Sequence, residues 1–252
     1  MINDFFDPTE TKASGVNGAA MTQIASPEQI EQITKLVDEE LKSGGLGIGV
    51  PVGYMSKATT IIETKEWQRL AGQYGVATYL HGRFSSQLPP TSGLLSIEEM
   101  LSSAAIYGGG SLIQHMHQQT LHETPEALKM LDDARSKGIK VAAEIYPYNY
   151  GATIIGADYL TAENYQRNMG RSYSDIIETA TMKPLTKERY EQLVKEDPSA
   201  SIMFNGSTDE DLKLALAHES TIVGSDSFPL MKSDGMMAYG WGTPYEGLQG
   251  HP

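Results

Sequence analysis

Cysteine is absent from all 252 residues, which excludes disulfides, thiolate metal ligands and thiol nucleophiles together. Long apolar runs are absent as well: no stretch approaches the ~18 residues that a membrane-crossing helix needs. Positive charge is scarce, with 19 Lys and Arg against 32 Asp and Glu, for a net charge of −13. Nucleic acid and anionic membranes bind basic surfaces, so neither is expected as a partner. The opening residues Met1-Ile2-Asn3-Asp4-Phe5-Phe6-Asp7 lack the basic flank and apolar core of a signal peptide, and the expected compartment is the cytoplasm. No Gly-rich phosphate loop with its Lys occurs; Gly108-Gly109-Gly110 precedes a strand and reads as a turn.

What the chain does have is an ordinary globular balance, 40% hydrophobic and 20% charged residues, enough for one large α/β domain or two small ones. Residues 1–25 form an irregular lead-in rich in Gly, Ala, Thr and Asn. A helix then opens on Ser26 as N-cap, Pro27 at the first position and Gln29 as reciprocal cap, with Ile30, Ile33, Val37 and Leu41 at helical spacing. Strand 46–50, a helix from about Thr64 to Tyr74 and strand 76–81 follow. Ser96 and Glu99 form the expected capping box of the next helix. Strand 111–115, a helix opened by Thr124-Pro125-Glu126, and strand 139–146 continue the alternation. Residues 149–185 are less regular, with helix expected near 162–169 and 173–180. Thr186 and Thr208 cap two more helices, strands occupy 201–204 and 221–224, and 227–252 reads as a loop-rich tail. Six strands alternating with helices imply a parallel sheet covered by helices.

The chemistry-bearing residues cluster at strand ends. His81 ends one strand, His115 ends another, and Asp226 follows the last in Gly224-Ser225-Asp226. Gly-Ser-Asp alone is common turn chemistry. Two strand-end imidazoles with a strand-end carboxylate are the donor set of a metal-dependent hydrolase, the carboxylate serving as base. On an extended chain His117 faces the same way as His115, so the pair is expected to be able to ligate one metal together. Tyr146 and Tyr148 place two phenols at the end of their strand, where they can donate to a carbonyl or carboxylate. Arg83 is a charged candidate for binding an acidic substrate. Glu144 lies in the same strand as Tyr146, with its facing open.

Together these segments resemble the N-acyl-D-amino-acid deacylase (D-aminoacylase) family of metal-dependent amidohydrolases. The likeness runs through Ser26-Pro27-Glu28-Gln29-Ile30, Gly47-Ile48-Gly49-Val50, Gly53-Tyr54, Ala77-Thr78-Tyr79-Leu80-His81 and Leu112-Ile113-Gln114-His115. It continues through Glu144-Ile145-Tyr146-Pro147-Tyr148, Phe204-Asn205-Gly206-Ser207-Thr208-Asp209-Glu210-Asp211, Ile222-Val223-Gly224-Ser225-Asp226 and the closing His251-Pro252. The resemblance implies a TIM-like (β/α) barrel, one or two zinc ions, and hydrolysis of a carbon–nitrogen amide bond to give a D-amino acid and a carboxylate. It assigns His81 and His115 as metal ligands ending strands five and six, and Asp226 as general base and acid on strand eight. His117, Tyr146, Tyr148, Arg83 and His251 become candidates for binding the small N-acyl-D-amino acid. The family's first-strand His-x-His and early metal-binding Cys have no counterpart here. On this reading, 26–226 is an incomplete barrel of about strands four to eight, with self-association expected through its open edges. The rival expectations are an incomplete barrel that only binds a ligand or another subunit, and a dihydroorotase- or hydantoinase-like cyclic amidase.

Overall fold

The computed structural model describes residues 19–226. After a single turn, α1 (Ala19–Thr22), helix α2 (Pro27–Lys42) starts as its sequence dictates. Ser26 Oγ accepts from the Gln29 backbone N–H, and Gln29 Oε1 accepts from the Ser26 N–H at 2.8 Å. Strand β1 (Gly47–Val50) follows, then α3 (Ile61–Tyr74), β2 (Ala77–Leu80) and α4 (Gly93–Tyr107). Helix α3 begins before the expected Thr64, because Thr60 and Glu63 form the capping box. Helix α4 is capped by Ser92, not by Ser96 and Glu99. Those two residues lie inside the helix, where Ser96 Oγ accepts from the Phe84 N–H and Glu99 holds Arg83. A capping motif and a buried polar contact carry the same letters.

Next come β3 (Gly110–Ile113), the short α5 (Met116–Thr120), α6 (Thr124–Ser136) and β4 (Lys140–Ile145). Residues 149–185 hold more structure than expected: β5 (Tyr150–Ile154), a π-helical stretch Glu163–Asn168, a 3-10 turn Tyr173–Asp175, then β6 (Ile176–Glu178) and β7 (Lys183–Pro184). The chain finishes with α7 (Lys187–Glu196), β8 (Ser201–Asn205), α8 (Asp209–Leu216) and β9 (Thr221–Val223).

Five strands, in the order β1-β2-β3-β4-β9, form one parallel sheet. The expected sixth, β8, belongs elsewhere: it pairs antiparallel with β5 and β6 in a second sheet of order β5-β8-β6-β7. Its apolar run Ile202-Met203-Phe204 is buried in either arrangement, so the run itself does not declare its partner. The parallel sheet is open, and no closed barrel occurs among the described residues. No described helix is long and apolar enough to cross a membrane.

Alternation assigns the two faces of the parallel sheet. The aligned row Ile48, Thr78, Ser111 and Val141 and the row Val50, Leu80, Ile113 and Ala143 are buried under α3, α4 and α6, against Trp67, Leu70, Ile97, Met100, Leu128 and Leu131. Thr78 Oγ, at 2.7 Å from Gln68 Oε1, keeps its hydroxyl satisfied within that layer. The second sheet has its own core, in which Leu160, Tyr165, Met169, Ile176, Ile202 and Phe204 are buried. Most of the segment between β4 and β9 therefore packs on this second core, while α8 joins the first through Leu212 and Ala215. The segment returns the chain to the parallel sheet with Ala143 opposite Thr221 and Ile145 opposite Val223.

Candidate active site

All the strand-end candidates lie at the C-terminal end of the parallel sheet, the end at which β/α folds gather functional loops. His81 follows β2, with its N–H donating to the Val50 carbonyl at 3.2 Å. His115 follows β3, and Asp226 follows β9. The two imidazole centroids are 4.6 Å apart, edge to face. His81, His115 and Asp226 line one small cavity with Tyr54, Ser85, Tyr146 and Tyr159; its roughly 20 Å³ holds about one water molecule. Ser85 and Tyr159 also line a larger cavity of about 400 Å³, which reaches Arg83, Phe84 and Asn168.

Each ring is held by local chemistry. His81 Nδ1 lies 3.0 Å from the Gly82 carbonyl, an acceptor only, so Nδ1 carries the proton and Nε2 keeps its lone pair. Tyr54 packs edge-on at 4.9 Å, and a side chain at Gly53 would overlap the His81 ring. Burial pushes the His81 pKa down to about 4 and that of His115 well below its usual value, with the neighbouring His81 and His117 adding to the effect on His115. Both rings are neutral at physiological pH.

His117 does not share an extended chain with His115. The backbone turns at His115 (φ 32°) into α5, because burying Met116 and bonding Thr120 Oγ1 to the Met116 carbonyl favours a helical turn there. His117 is wholly buried; its Nε2 donates to the Tyr148 carbonyl at 3.3 Å, its Nδ1 has no partner, and burial lowers its pKa to about 4. Its ring lies 4.6 Å from that of Tyr146. Tyr146 is buried in the cavity wall; desolvation, then the charge of Asp226, holds its phenol protonated. Tyr148 lies alongside it, ring centroids 6.2 Å apart. Arg83 is bound in a fork: Nε and Nη2 donate to the two Glu99 oxygens at 2.9 Å, and Nη1 donates to the Thr59 carbonyl at 2.6 Å. The charge it offers the larger cavity is thus already shared. His251 lies outside the described residues.

Glu144 is the member that the sequence left open. Val141, Ala143 and Ile145 of β4 face the helices, so Glu144 projects from the opposite face. Its carboxylate accepts from the His115 backbone N–H, and its overall pKa is raised because desolvation outweighs that bond. Asp226 sits at φ 50° beyond β9, and its pKa is raised to about 7 by desolvation and then by Glu144's charge. Asp226 is also exposed, so solvent reaches its carboxylate.

Two neutral imidazoles in contact, His81 with its Nε2 lone pair free, are of the donor type that zinc takes. Among the described residues, no group of three or more His, Cys, Asp or Glu side chains is arranged to hold a metal ion.

No protein-family model matches the chain, and no curated protein does. Solved structures do. N-acyl-D-glutamate deacylase from Bordetella bronchiseptica, complexed with zinc and a phosphonate inhibitor, is similar with a TM-score of 0.66 at 18% identity, over 84% of this chain and 46% of that one. Two D-aminoacylase structures are similar with TM-scores of 0.65 and 0.62 at 19% and 21% identity, over 81% and 82% of this chain and 44% of each of theirs. The chain thus spans less than half the length of these proteins. The fold they share with it is that of the family to which the sequence bears its resemblance.

Proposed function

We propose that this chain carries part of the active site of a metal-dependent amidohydrolase that cleaves the carbon–nitrogen bond of N-acyl-D-amino acids. The observation that supports this most is the meeting of His81, His115 and Asp226 around one water-sized cavity at the C-terminal end of a parallel sheet. His81 and His115 are the residues that would hold zinc, which when bound supplies Lewis-acid polarisation of the amide carbonyl. Asp226 is the base: with a pKa near 7 it takes a proton from water at its carboxylate and returns it to the departing amine nitrogen. Tyr146 and Tyr148 offer phenolic donors for the substrate's carbonyl or carboxylate, and His117 fixes their strand end through the Tyr148 carbonyl. Arg83, and His251 in the tail, complete the substrate-binding candidates.

One observation favours a second reading. Only two imidazoles converge among the described residues, which suits a domain that binds ligand without turning it over. Metal analysis after dialysis, paired with assays on N-acetyl-D-glutamate and N-acetyl-D-methionine, separates the two. Retained zinc with turnover supports the hydrolase. Substrate binding without zinc or turnover supports the second reading.

A further inference from the structure

We propose that the cavity of about 400 Å³ beside the histidines binds an uncharged, hydrogen-bonding group, a carboxamide above all, and that Ser85 and Asn168 select it. That an N-acyl-D-amino acid carries this group rests on the reading given above; the polar, uncharged character of the cavity does not.

A cavity of this size lies in the range of small-molecule sites. It opens between the loop after β2 and the π-helical stretch Glu163–Asn168, which are tied together where the Gln87 N–H donates to the Asn168 carbonyl at 3.2 Å. Ser85 and Tyr159 line both this cavity and the histidine cavity, so a ligand seated in the larger space has one end beside His81 and His115. The walls carry three charged side chains, and each is already engaged. Arg83 is spent on Glu99, Glu163 is paired with Arg167 at 3.4 Å, and the exposed Lys57 has contacts of its own. Two buried polar side chains are not fully engaged: Ser85, 7% exposed, and Asn168, 8% exposed. Among the described residues nothing bonds the Ser85 hydroxyl. Asn168 spends one end of its amide on the Asn164 side chain at 2.8 Å, and the other end has no partner among the described residues. Whichever way that amide stands, a ligand carboxamide has the complementary atom, and the Ser85 hydroxyl can donate or accept. A carboxylate would lose its hydration with no free cation to replace it, and an alkyl chain would displace water from both polar groups without bonding them. Asn168 ends a π-helical stretch, a backbone form that is rare and concentrated at functional sites.

The test measures binding to the metal-free chain by calorimetry, with N-acetyl-D-glutamine, N-acetyl-D-glutamate and N-acetyl-D-methionine as probes of similar length. N-acetyl-D-glutamine should bind about tenfold more tightly than either of the others, the worth of one or two hydrogen bonds. Ser85→Ala should remove most of that preference while the unfolding midpoint stays level or rises, because no bond within the protein is lost with the hydroxyl. Asn168→Ala should lower the same preference, with the loss of its Asn164 contact read separately from the unfolding midpoint. Should Asn168→Ala fail to fold, Ser85→Ala still decides. Equal binding of all three probes, no binding of any, or a preference unchanged by the substitutions overturns the proposal. So does a fall in affinity for all three probes together, which would make the two residues merely structural. Turnover is assayed apart, with zinc added. The binding preference without turnover upholds the site and counts against the hydrolase; turnover without the preference upholds the hydrolase and overturns the site.

Discussion

The Glu144 carboxylate occupies the space where residue 224 would carry a side chain: a Cβ built on Gly224 overlaps Oε1 and crowds Cδ and Cγ of Glu144. The glycine that follows β9 therefore seats a carboxylate from β4, and that carboxylate in turn accepts from the His115 N–H.

Gly224→Ala should displace Glu144 as a whole side chain, since three of its atoms are in the way. Overpacking of this kind costs about 1–3 kcal/mol. The cost should nearly vanish in a Glu144→Ala background, where the space is already free. A double-mutant cycle by denaturant unfolding measures this coupling. Additive effects would show that Gly224 and Glu144 do not compete for one place.

Acid should destabilise the metal-free protein through its buried histidines. His81 and His117 have folded pKa values of about 4 against an ordinary 6.5. Between those values the unfolded chain binds protons that the folded chain refuses. Their contribution is therefore complete above about pH 6.5 and lost as pH falls towards 4, on the order of 3 kcal/mol per ring as an upper bound. Asp226 acts in the opposite sense, since its raised pKa favours the folded state at low pH and that contribution is lost as pH rises towards 7. Glu144 and Glu63, with pKa values also raised by desolvation, act in the same sense as Asp226, but the depressed, fully enclosed His81 and His115 with His117 should dominate. Urea midpoints at pH 7.5, 6 and 5 should fall in that order, and the decline should be shallower in His117→Gln. A midpoint independent of pH would mean that these rings are not neutral and buried together.

The parallel sheet was legible in the sequence because several of its helices carry their own start signals, as Ser26, Thr124-Pro125 and Thr208 do, and because a histidine closely follows each of β2 and β3. Local chemistry of that kind survives without knowledge of partners. The second sheet was not legible: β5 is Tyr-Gly-Ala-Thr-Ile, weak as a strand by composition, and exists through pairing with β8 fifty residues away. For the same reason 201–204 was read into the wrong sheet. His81, His115 and Asp226 could be placed from strand ends alone. Glu144 could not, because its role depends on contacts with the residues after β3 and β9, though the alternation of Val141, Ala143 and Ile145 already turned it away from the helices.

Self-association is expected through the sheet edges. Among the described residues β9 pairs with β4 alone and β1 with β2 alone, and Val223 is 68% and Ile222 51% exposed. An unpaired apolar edge strand is a template for a second copy, and an edge lysine is the usual deterrent. Sedimentation should show a mass that rises with concentration, and Val223→Lys should return it towards the monomer. A concentration-independent monomer in the wild type would show that these edges are covered.

If Asp226 is the base, the rate should report its protonation and Glu144 should tune it. The hydrolytic rate (kcat/KM) should rise with pH through about 7 as Asp226 loses its proton. Glu144→Gln keeps the size of the side chain but removes the like charge that helps to raise the Asp226 pKa, so the rising limb should move to lower pH. Asp226→Asn should abolish the limb and lower the rate by about 10²–10⁴-fold, while the fold, followed by circular dichroism, stays intact. These outcomes separate a catalytic carboxylate from a turn aspartate. A turn aspartate would cost stability when changed, but would leave the position of the limb indifferent to Glu144. A limb that stays in place in Glu144→Gln would therefore count against proton transfer at Asp226, even if the substitution slowed the enzyme.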